Sequence, residues 1–163
     1  MSENRGEEEN PVHLSLFMGY TNEAKKPSKL EGLVQETYGY ALLDTGCSTT
    51  VCGVNWLNNY CEYLSEVDHS SIVEKASTAT FTFGDGRTVQ TLKRLTIPCY
   101  INGKRSTIDT DVVECNIPML LSKKAMKKGE MILNFANDTL KIADQVVPLS
   151  STVSGHYLLP ISF

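Results

Sequence analysis

Three apolar residues run directly into an acid in residues 41–51, which read Ala-Leu-Leu-Asp-Thr-Gly-Cys-Ser-Thr-Thr-Val. The apolar run predicts a buried strand, and the Thr-Gly pair after the acid predicts a tight turn where that strand ends. Such a turn presents the carboxylate of Asp44, and Gly46 lets other backbone approach it closely because glycine has no side chain. The hydroxyls of Thr45 and Ser48 can donate hydrogen bonds that fix the carboxylate. An aspartate that merely starts a β-turn is very common, so Asp-Thr-Gly alone favours that simpler interpretation.

The rest of the chain predicts many short strands and few helices. Apolar residues recur at helical spacing over 55–64, and residues 122–128 predict a shorter helix that Ser122 caps and Gly129 ends. Residues 65–78, rich in Ser, Asp and His, indicate a connection. Strand patterns occupy 12–18, 40–43, 80–83, 87–91, 95–101, 105–113, 131–135, 139–142, 145–149 and 157–161. Short strands joined by turn signals predict an all-β domain, a barrel or a folded sandwich.

The composition limits the classes of function. With 163 residues, 41% hydrophobic and 21% charged, the chain is long enough for one domain with its own core. Residues 1–11 are charged and polar and predict a disordered acidic tail ahead of a domain at 12–163. A net charge of -4 and a pI near 5.4 argue against a nucleic-acid partner. No stretch approaches the ~18 apolar residues that span a bilayer, so no membrane partner is expected.

Five cysteines without a secretory signal indicate reduced thiols in a cytosolic setting. Cys47 and Cys52 have no histidine nearby at the spacing of a zinc site, so neither a metal nor another cofactor is expected. A cysteine hydrolase that uses Cys47 or Cys61 is an alternative, but it needs a histidine as its base. The three histidines lie in predicted tails or loops: His13, His69 and His156.

The flanks of Asp44 resemble the active-site loop of retropepsins, the aspartic proteases of retroviruses and retrotransposons. The shared pattern is two apolar residues, Asp-Thr-Gly, any residue, then Ser-Thr, as in residues 42–49. A Gly-rich hairpin at 83–87 lies where a retropepsin carries its flap, and the apolar run 117–121 precedes a short helix, as in that family. The wider pattern resembles the proteases of metazoan retrotransposon polyproteins and covers roughly residues 12–161.

The resemblance implies a fold and a set of roles. It implies an all-β, retropepsin-like acid protease barrel with one or two short helices, a single lobe that is active as a symmetric homodimer. Asp44 would be the catalytic acid and base, Thr45 would brace the two loops across the dimer axis, Gly46 would line the floor, and Ser48 would support the loop. The flap that binds the peptide substrate would contain Phe83, Gly84, Asp85 and Gly86.

A single catalytic aspartate implies two chains. Hydrolysis by this route needs two carboxyl groups that share one proton, as in every aspartic protease dyad. The chain has no second Asp-Thr-Gly or Asp-Ser-Gly. Residues 109–111, Asp-Thr-Asp, lack the glycine and predict an exposed strand face, while Asp85 and Asp138 fall in predicted turns. The second carboxylate must therefore come from Asp44 of another copy, across a two-fold axis.

The two terminal strands, 12–18 and 157–163, are the predicted components of a sheet between the subunits, since pairing there would cover open edges. The chain departs from the family pattern at three positions: Ser122 replaces a usual Gly, Cys47 replaces a frequent Ala, and Lys123 replaces an Arg. Lysine cannot form the bidentate fork of arginine, which puts the family's dimer contacts near Lys123 in doubt.

The predicted function is an aspartic endopeptidase that processes its own polyprotein in the cytoplasm or inside retroelement particles. Two alternatives remain open besides the cysteine hydrolase. One is a domesticated, catalytically silent retropepsin-like module that dimerises or binds peptides. The other is an unrelated β-barrel binding module in which Asp-Thr-Gly is a coincidental turn.

Overall fold

The computed structural model describes the backbone of residues 12–13 and, in full, residues 34–82 and 86–162. The described strands are β1 (Val12–His13), β2 (Tyr40–Asp44), β3 (Val51–Gly53), β4 (Val73–Lys75), β5 (Thr80–Thr82), β6 (Thr88–Gln90), β7 (Lys93–Ile101), β8 (Lys104–Val113), β9 (Met119–Ser122), β10 (Ile132–Asn134), β11 (Thr139–Ile142), β12 (Gln145–Pro148), β13 (Ser150–Ser151) and β14 (Tyr157–Pro160). The described helices are α1 (Val54–Glu62), α2 (Glu66–Ser70) and α3 (Lys123–Lys128).

One large sheet organises the chain. Its eight strands follow the order β13-β14-β2-β9-β3-β8-β7-β4, and β2 is an interior strand, antiparallel to β14 and parallel to β9. Two three-stranded sheets, β1-β5-β6 and β10-β11-β12, complete the described strands. The prediction of a mostly β protein with few short helices is confirmed; the closed single-lobe barrel and the dimer stay predictions.

The strand that carries Asp44 is buried on both faces, which explains its uninterrupted apolar run. Ala41 and Leu43 belong to the larger core cluster, where Trp56 of α1 also packs. Leu42 points the other way, into a second cluster with Phe81. Because both faces are covered, β2 is held rigidly and the position of its last residue is well defined.

Predictions that rest on short-range signals are confirmed. The helix predicted over 55–64 is α1, and Ser122 caps α3, since its hydroxyl accepts a hydrogen bond from the Ala125 N–H. Asn102 and Gly103, which join β7 to β8, have φ values of 51° and 79°, the positive values that a type I′ turn requires and that Asn-Gly favours.

Two local predictions are wrong. Residues 65–78 contain α2 and β4 and are not merely a connection. α2 is capped by the Ser65 hydroxyl, and β4 forms by pairing with β7, a contact that only the folded chain supplies. β14 already pairs with β13 and with β2 of the same chain, so residues 157–160 do not have the open edge that the predicted inter-subunit sheet requires.

Several predictions fall outside the described residues: the acidic tail at 1–11, the part of the first predicted strand after residue 13, and the flap tip Phe83, Gly84 and Asp85. The hairpin that carries this tip is present, because β5 and β6 pair antiparallel from Thr80↔Gln90 to Thr82↔Thr88. In the described ranges, no helix combines the length and apolar character that crossing a bilayer requires.

Candidate active site

Asp44 is the last residue of β2 and lies opposite Ser122 in the parallel register with β9. Its exposed fraction is 1%, whereas Thr45 and Gly46, which form the turn after it, are exposed. The Gly46 N–H donates to Asp44 Oδ1 at 2.9 Å, and the Cys47 N–H donates to the Asp44 carbonyl at 3.2 Å. The turn therefore closes over the carboxylate and fixes one of its two oxygens.

The second oxygen of the carboxylate is different. Asp44 Oδ2 is buried, and no group in the described part of the chain forms a hydrogen bond with it. A buried acceptor without a partner costs folding free energy, so such atoms are rare and concentrate at functional sites. Asp44 Oδ2 would therefore be stabilised by a bound proton, or by a hydrogen-bond donor from outside the chain.

Burial raises the pKa of Asp44 above its ordinary value, because the ionised form loses the stabilisation that water provides. The N–H groups of Gly46 and Cys47 and the charge of His156 act in the opposite direction but do not cancel the effect of burial. The carboxyl group therefore keeps its proton to a higher pH than a free aspartate does.

His156 approaches Asp44 through the pairing of β14 with β2. In that antiparallel register Leu158 lies opposite Leu42, so the residues before β14 lead toward the Asp44 end of β2, and the charge of His156 acts on the carboxylate there. His156 is half-buried, and its backbone is tied to Thr152. The sequence placed this histidine in a loop, and nothing local to it indicated the register that brings it to the aspartate.

The hydroxyl groups of Thr50 and Ser122 connect the loop after Asp44 to the start of α3. Thr50 Oγ1 donates to Ser122 Oγ at 3.1 Å and accepts from the Ser122 N–H at 3.1 Å. The Lys123 N–H donates to the Cys47 carbonyl at 3.2 Å. The loop that follows Asp44 and the start of α3 are thereby joined through Ser122.

The expectation that residues 109–111 form an exposed face is wrong for Asp111, which has an exposed fraction of 0%. Arg94 binds it with two hydrogen bonds, from Nε at 3.1 Å and from Nη2 at 3.0 Å, and the Ser77 hydroxyl donates at 2.9 Å. The Asp111 N–H also donates to the Thr50 carbonyl at 2.9 Å. Its side chain is occupied by these partners, so Asp111 supports Thr50 structurally.

The thiol of Cys47 has no access to the surface, and its Sγ donates to the Thr49 carbonyl at 2.9 Å. Burial, and secondarily the charge of Asp44, raises the pKa of Cys47 to about 12. Burial also raises the pKa of Cys61. Neither thiol is disposed to ionise near neutral pH, which argues against the cysteine hydrolase.

The other predicted site residues are less enclosed than Asp44. Thr45 and Ser48 are exposed, and within the described residues the bond to the Asp44 carboxylate comes from the Gly46 N–H and not from their hydroxyls. Gly86 is exposed with φ of 85°, while Phe83, Gly84 and Asp85 lie outside the described residues. Among the described side chains, no group of three or more His, Cys, Asp or Glu could hold a metal ion.

Comparison with known proteins finds likeness among solved structures only. No protein-family model matches the chain, and no curated protein matches it. Among solved structures, the chain is similar to the retroviral protease-like domain of Ddi1 from Leishmania major, with a TM-score of 0.46. The two are 13% identical, over 69% of this chain and 93% of that one. The proposed function therefore rests on the residues of the site.

Proposed function

We propose that this chain is an aspartic endopeptidase of the retroelement type, which hydrolyses peptide bonds between Asp44 of two copies and processes its own polyprotein. The observation that carries the proposal is the state of the Asp44 carboxyl group. One oxygen is fixed by the Gly46 N–H, the other is buried without a partner in the described chain, and burial raises the pKa. A carboxyl group in this state favours sharing a proton with a second acid.

The chemistry needs both members of such a pair. The ionised aspartate removes a proton from water as the water attacks the peptide carbonyl, and the protonated aspartate donates a hydrogen bond to the carbonyl oxygen. The proton is then passed to the leaving amine. The other buried aspartates of the described chain are Asp111, bound by Arg94, and Asp68, bound by Arg105, so a second copy of Asp44 is the best candidate for the partner.

The surroundings of Asp44 support this arrangement. Thr45 and Gly46 are exposed beside it, so the same turn of a second copy can approach along a two-fold axis. The hairpin of β5 and β6 would close over an extended peptide and add main-chain hydrogen bonds by strand addition.

A peptide-cleavage assay across mildly acidic and neutral pH tests the proposal. Wild-type protein should cleave and should be inhibited by a statine-type mimic of the tetrahedral intermediate. Asp44→Asn should abolish cleavage while its mass in sedimentation stays that of the wild type. Cys47→Ala should remain active, because the mechanism does not use the thiol. Cleavage that survives Asp44→Asn would contradict the aspartic mechanism.

One observation favours a second candidate, a catalytically silent module that dimerises or binds peptides. The exposed fraction of Asp44 is 1%, so substrate reaches the carboxylate only if neighbouring groups move. The silent module predicts no turnover at any pH, with dimerisation or peptide binding equal in wild type and Asp44→Asn. Turnover by the wild type decides in favour of the protease.

A further inference from the structure

A cavity of about 550 Å³ opens between the β7–β8 hairpin and α3. This volume lies within the range of sites that hold small molecules. Thr50 and Ser122, the two hydroxyl residues that brace the active-site loop, line it. The cavity is separate from the Asp44 carboxylate, which does not line it, and the proposed protease function leaves it without a role.

One part of the cavity wall is apolar, beside the threonine and serine hydroxyls that also line the cavity. Leu121 and Leu159 are buried there, where they belong to the larger core cluster. Met131, Ile142 and Ala125 are half-buried, so they offer part of their apolar surface to whatever enters. An apolar ligand portion placed against these side chains would leave water, which favours binding.

The rim of the cavity is positively charged. Lys124 and Lys128, four residues apart on one face of α3, line it together with Lys75 of β4, and all three are exposed. The acid that lines the cavity is Asp109, whose carboxylate accepts a 2.6 Å hydrogen bond from the Thr96 hydroxyl.

Arg94 also lines the cavity, but its charge is compensated by Asp111. The rim therefore has an excess of positive charge beside the apolar part of the wall. Lys123 and Lys127 lie on the same helix without lining the cavity, so they offer a control for the helix's general charge.

We propose that this cavity binds a small amphipathic anion, with its carboxylate or phosphate head between the lysines of the rim and a short apolar body against the interior. Positive charge on the rim would attract the head from solution, and the aliphatic stems of the lysines would continue the apolar wall. The proposal does not depend on catalysis by Asp44.

Octanoate is a suitable probe, since it combines one carboxylate with a short apolar chain. Titration of the full chain, followed by amide chemical shifts, should show saturable changes at Ser122, Thr107 and Ile142. Affinity should fall with added salt. Acetate and 1-octanol should both bind more weakly than octanoate, because acetate lacks the apolar chain and 1-octanol lacks the carboxylate. Absence of saturable changes at these residues would overturn the proposal.

Two matched double variants of α3 test the role of charge. Lys124→Ala with Lys128→Ala should weaken octanoate binding about fivefold or more, because both charges are lost from the rim. Lys123→Ala with Lys127→Ala removes the same net charge away from the cavity and should change the affinity less than about twofold. Equal losses in the two double variants would mean that net charge alone attracts the probe, and the site would be rejected.

A third variant tests the interior. Ala125→Leu keeps a strong helix former at this position and fills part of the cavity, so binding should be lost while the fold remains. Circular dichroism and the amide spectrum verify the fold. If folded Ala125→Leu binds octanoate as tightly as the wild type, the probe lies elsewhere and the proposal fails.

Discussion

The two carboxylate oxygens of Asp44 have opposite environments. Its Oδ1 is bonded to the Gly46 N–H, but its Oδ2 is buried without a partner in the described chain. Burying an ionised carboxylate in this way costs folding free energy, because the protein returns only part of the stabilisation that water gave. Such a cost is usual at a site where function, and not stability, selects the residue.

The first prediction concerns the stability of Asp44→Asn. Because the pKa of Asp44 is raised, the folded chain holds this proton more tightly than the unfolded chain does. The stabilisation is complete at low pH and is lost as pH rises from the ordinary pKa through the raised value. At pH 7 the asparagine variant should therefore be more stable than the wild type, by about 1 kcal/mol, and the difference should disappear near pH 3.

Urea unfolding at the two pH values measures this difference. Asp144→Asn, an exposed site, is the control and should change stability by less than about 0.5 kcal/mol at either pH. A less stable Asp44→Asn variant at pH 7 would show that the carboxylate is better solvated than its burial indicates.

The second prediction concerns the thiols. Cys47, Cys52 and Cys99 are fully buried, and burial raises the pKa of each thiol, whereas Cys61 and Cys115 are half-buried. Because the thiolate is the reactive form, iodoacetamide at pH 8 should alkylate Cys61 and Cys115 first in the folded protein. Mass spectrometry of digested samples measures the order, and preferential labelling of Cys47 would contradict it.

At the scale of elements, Ser122 at the start of α3 makes two separate stabilising contacts. The Ser122 hydroxyl accepts from the Ala125 N–H as the helix cap, and it accepts from Thr50 in the candidate active-site loop. The third prediction is that Ser122→Ala lowers the free energy of unfolding by about 2 kcal/mol, because a cap is lost and a buried hydroxyl loses its partner.

Chemical denaturation of Ser122→Ala tests this, with Ser151→Ala of β13 as an exposed control that should stay within about 0.5 kcal/mol of the wild type. A Ser122→Ala variant as stable as that control would mean that the loop and α3 are not coupled through this hydroxyl.

The fourth prediction concerns the strands β7 and β8, which are joined by the Arg94–Asp111 ion pair at the register position where these residues face each other. Arg94→Met should destabilise the fold by about 3 kcal/mol, because it leaves the buried carboxylate of Asp111 without its cation.

Lys93→Met is the matched control on the same strand. Its partner Glu74 lies 3.7 Å away, and both side chains are partly exposed, so the loss should be at most about 1 kcal/mol. Similar losses in the two variants, measured by thermal or urea unfolding, would show that the Arg94 pair is as well solvated as the Lys93 pair.

At the scale of the whole molecule, the proposed active site is complete only in a pair of chains. The fifth prediction is that specific activity rises with protein concentration, because dilution separates the two copies of Asp44. Adding Asp44→Asn protein to a fixed amount of wild type should lower the activity, since a mixed dimer contains only one of the two carboxyl groups that the mechanism needs.

Progress curves over a dilution series, with and without the variant, measure both effects. A denatured sample of Asp44→Asn is the control for nonspecific inhibition by added protein. Activity that is strictly proportional to concentration and insensitive to the folded variant would mean that one chain is sufficient.

Short-range signals in the sequence were enough for the elements that the chain forms with its near neighbours. The Asn102-Gly103 turn follows from the preference of these residues for positive φ, and α3 follows from Ser122 and Gly129 at its ends. The strand and turn around Asp44 could likewise be predicted from neighbouring residues, because the apolar run and the Thr-Gly pair determine structure within a few residues.

Tertiary structure alone decided the environment of that aspartate. The Thr50–Ser122 bond joins residues 72 positions apart, and the approach of His156 depends on how β14 pairs with β2. Asp111 likewise became buried because β3 and Arg94 cover its strand. The sequence by itself determined where a carboxylate stands at the end of a strand. Its burial and raised pKa were decided by the fold, because desolvation depends on which distant strands pack around the group.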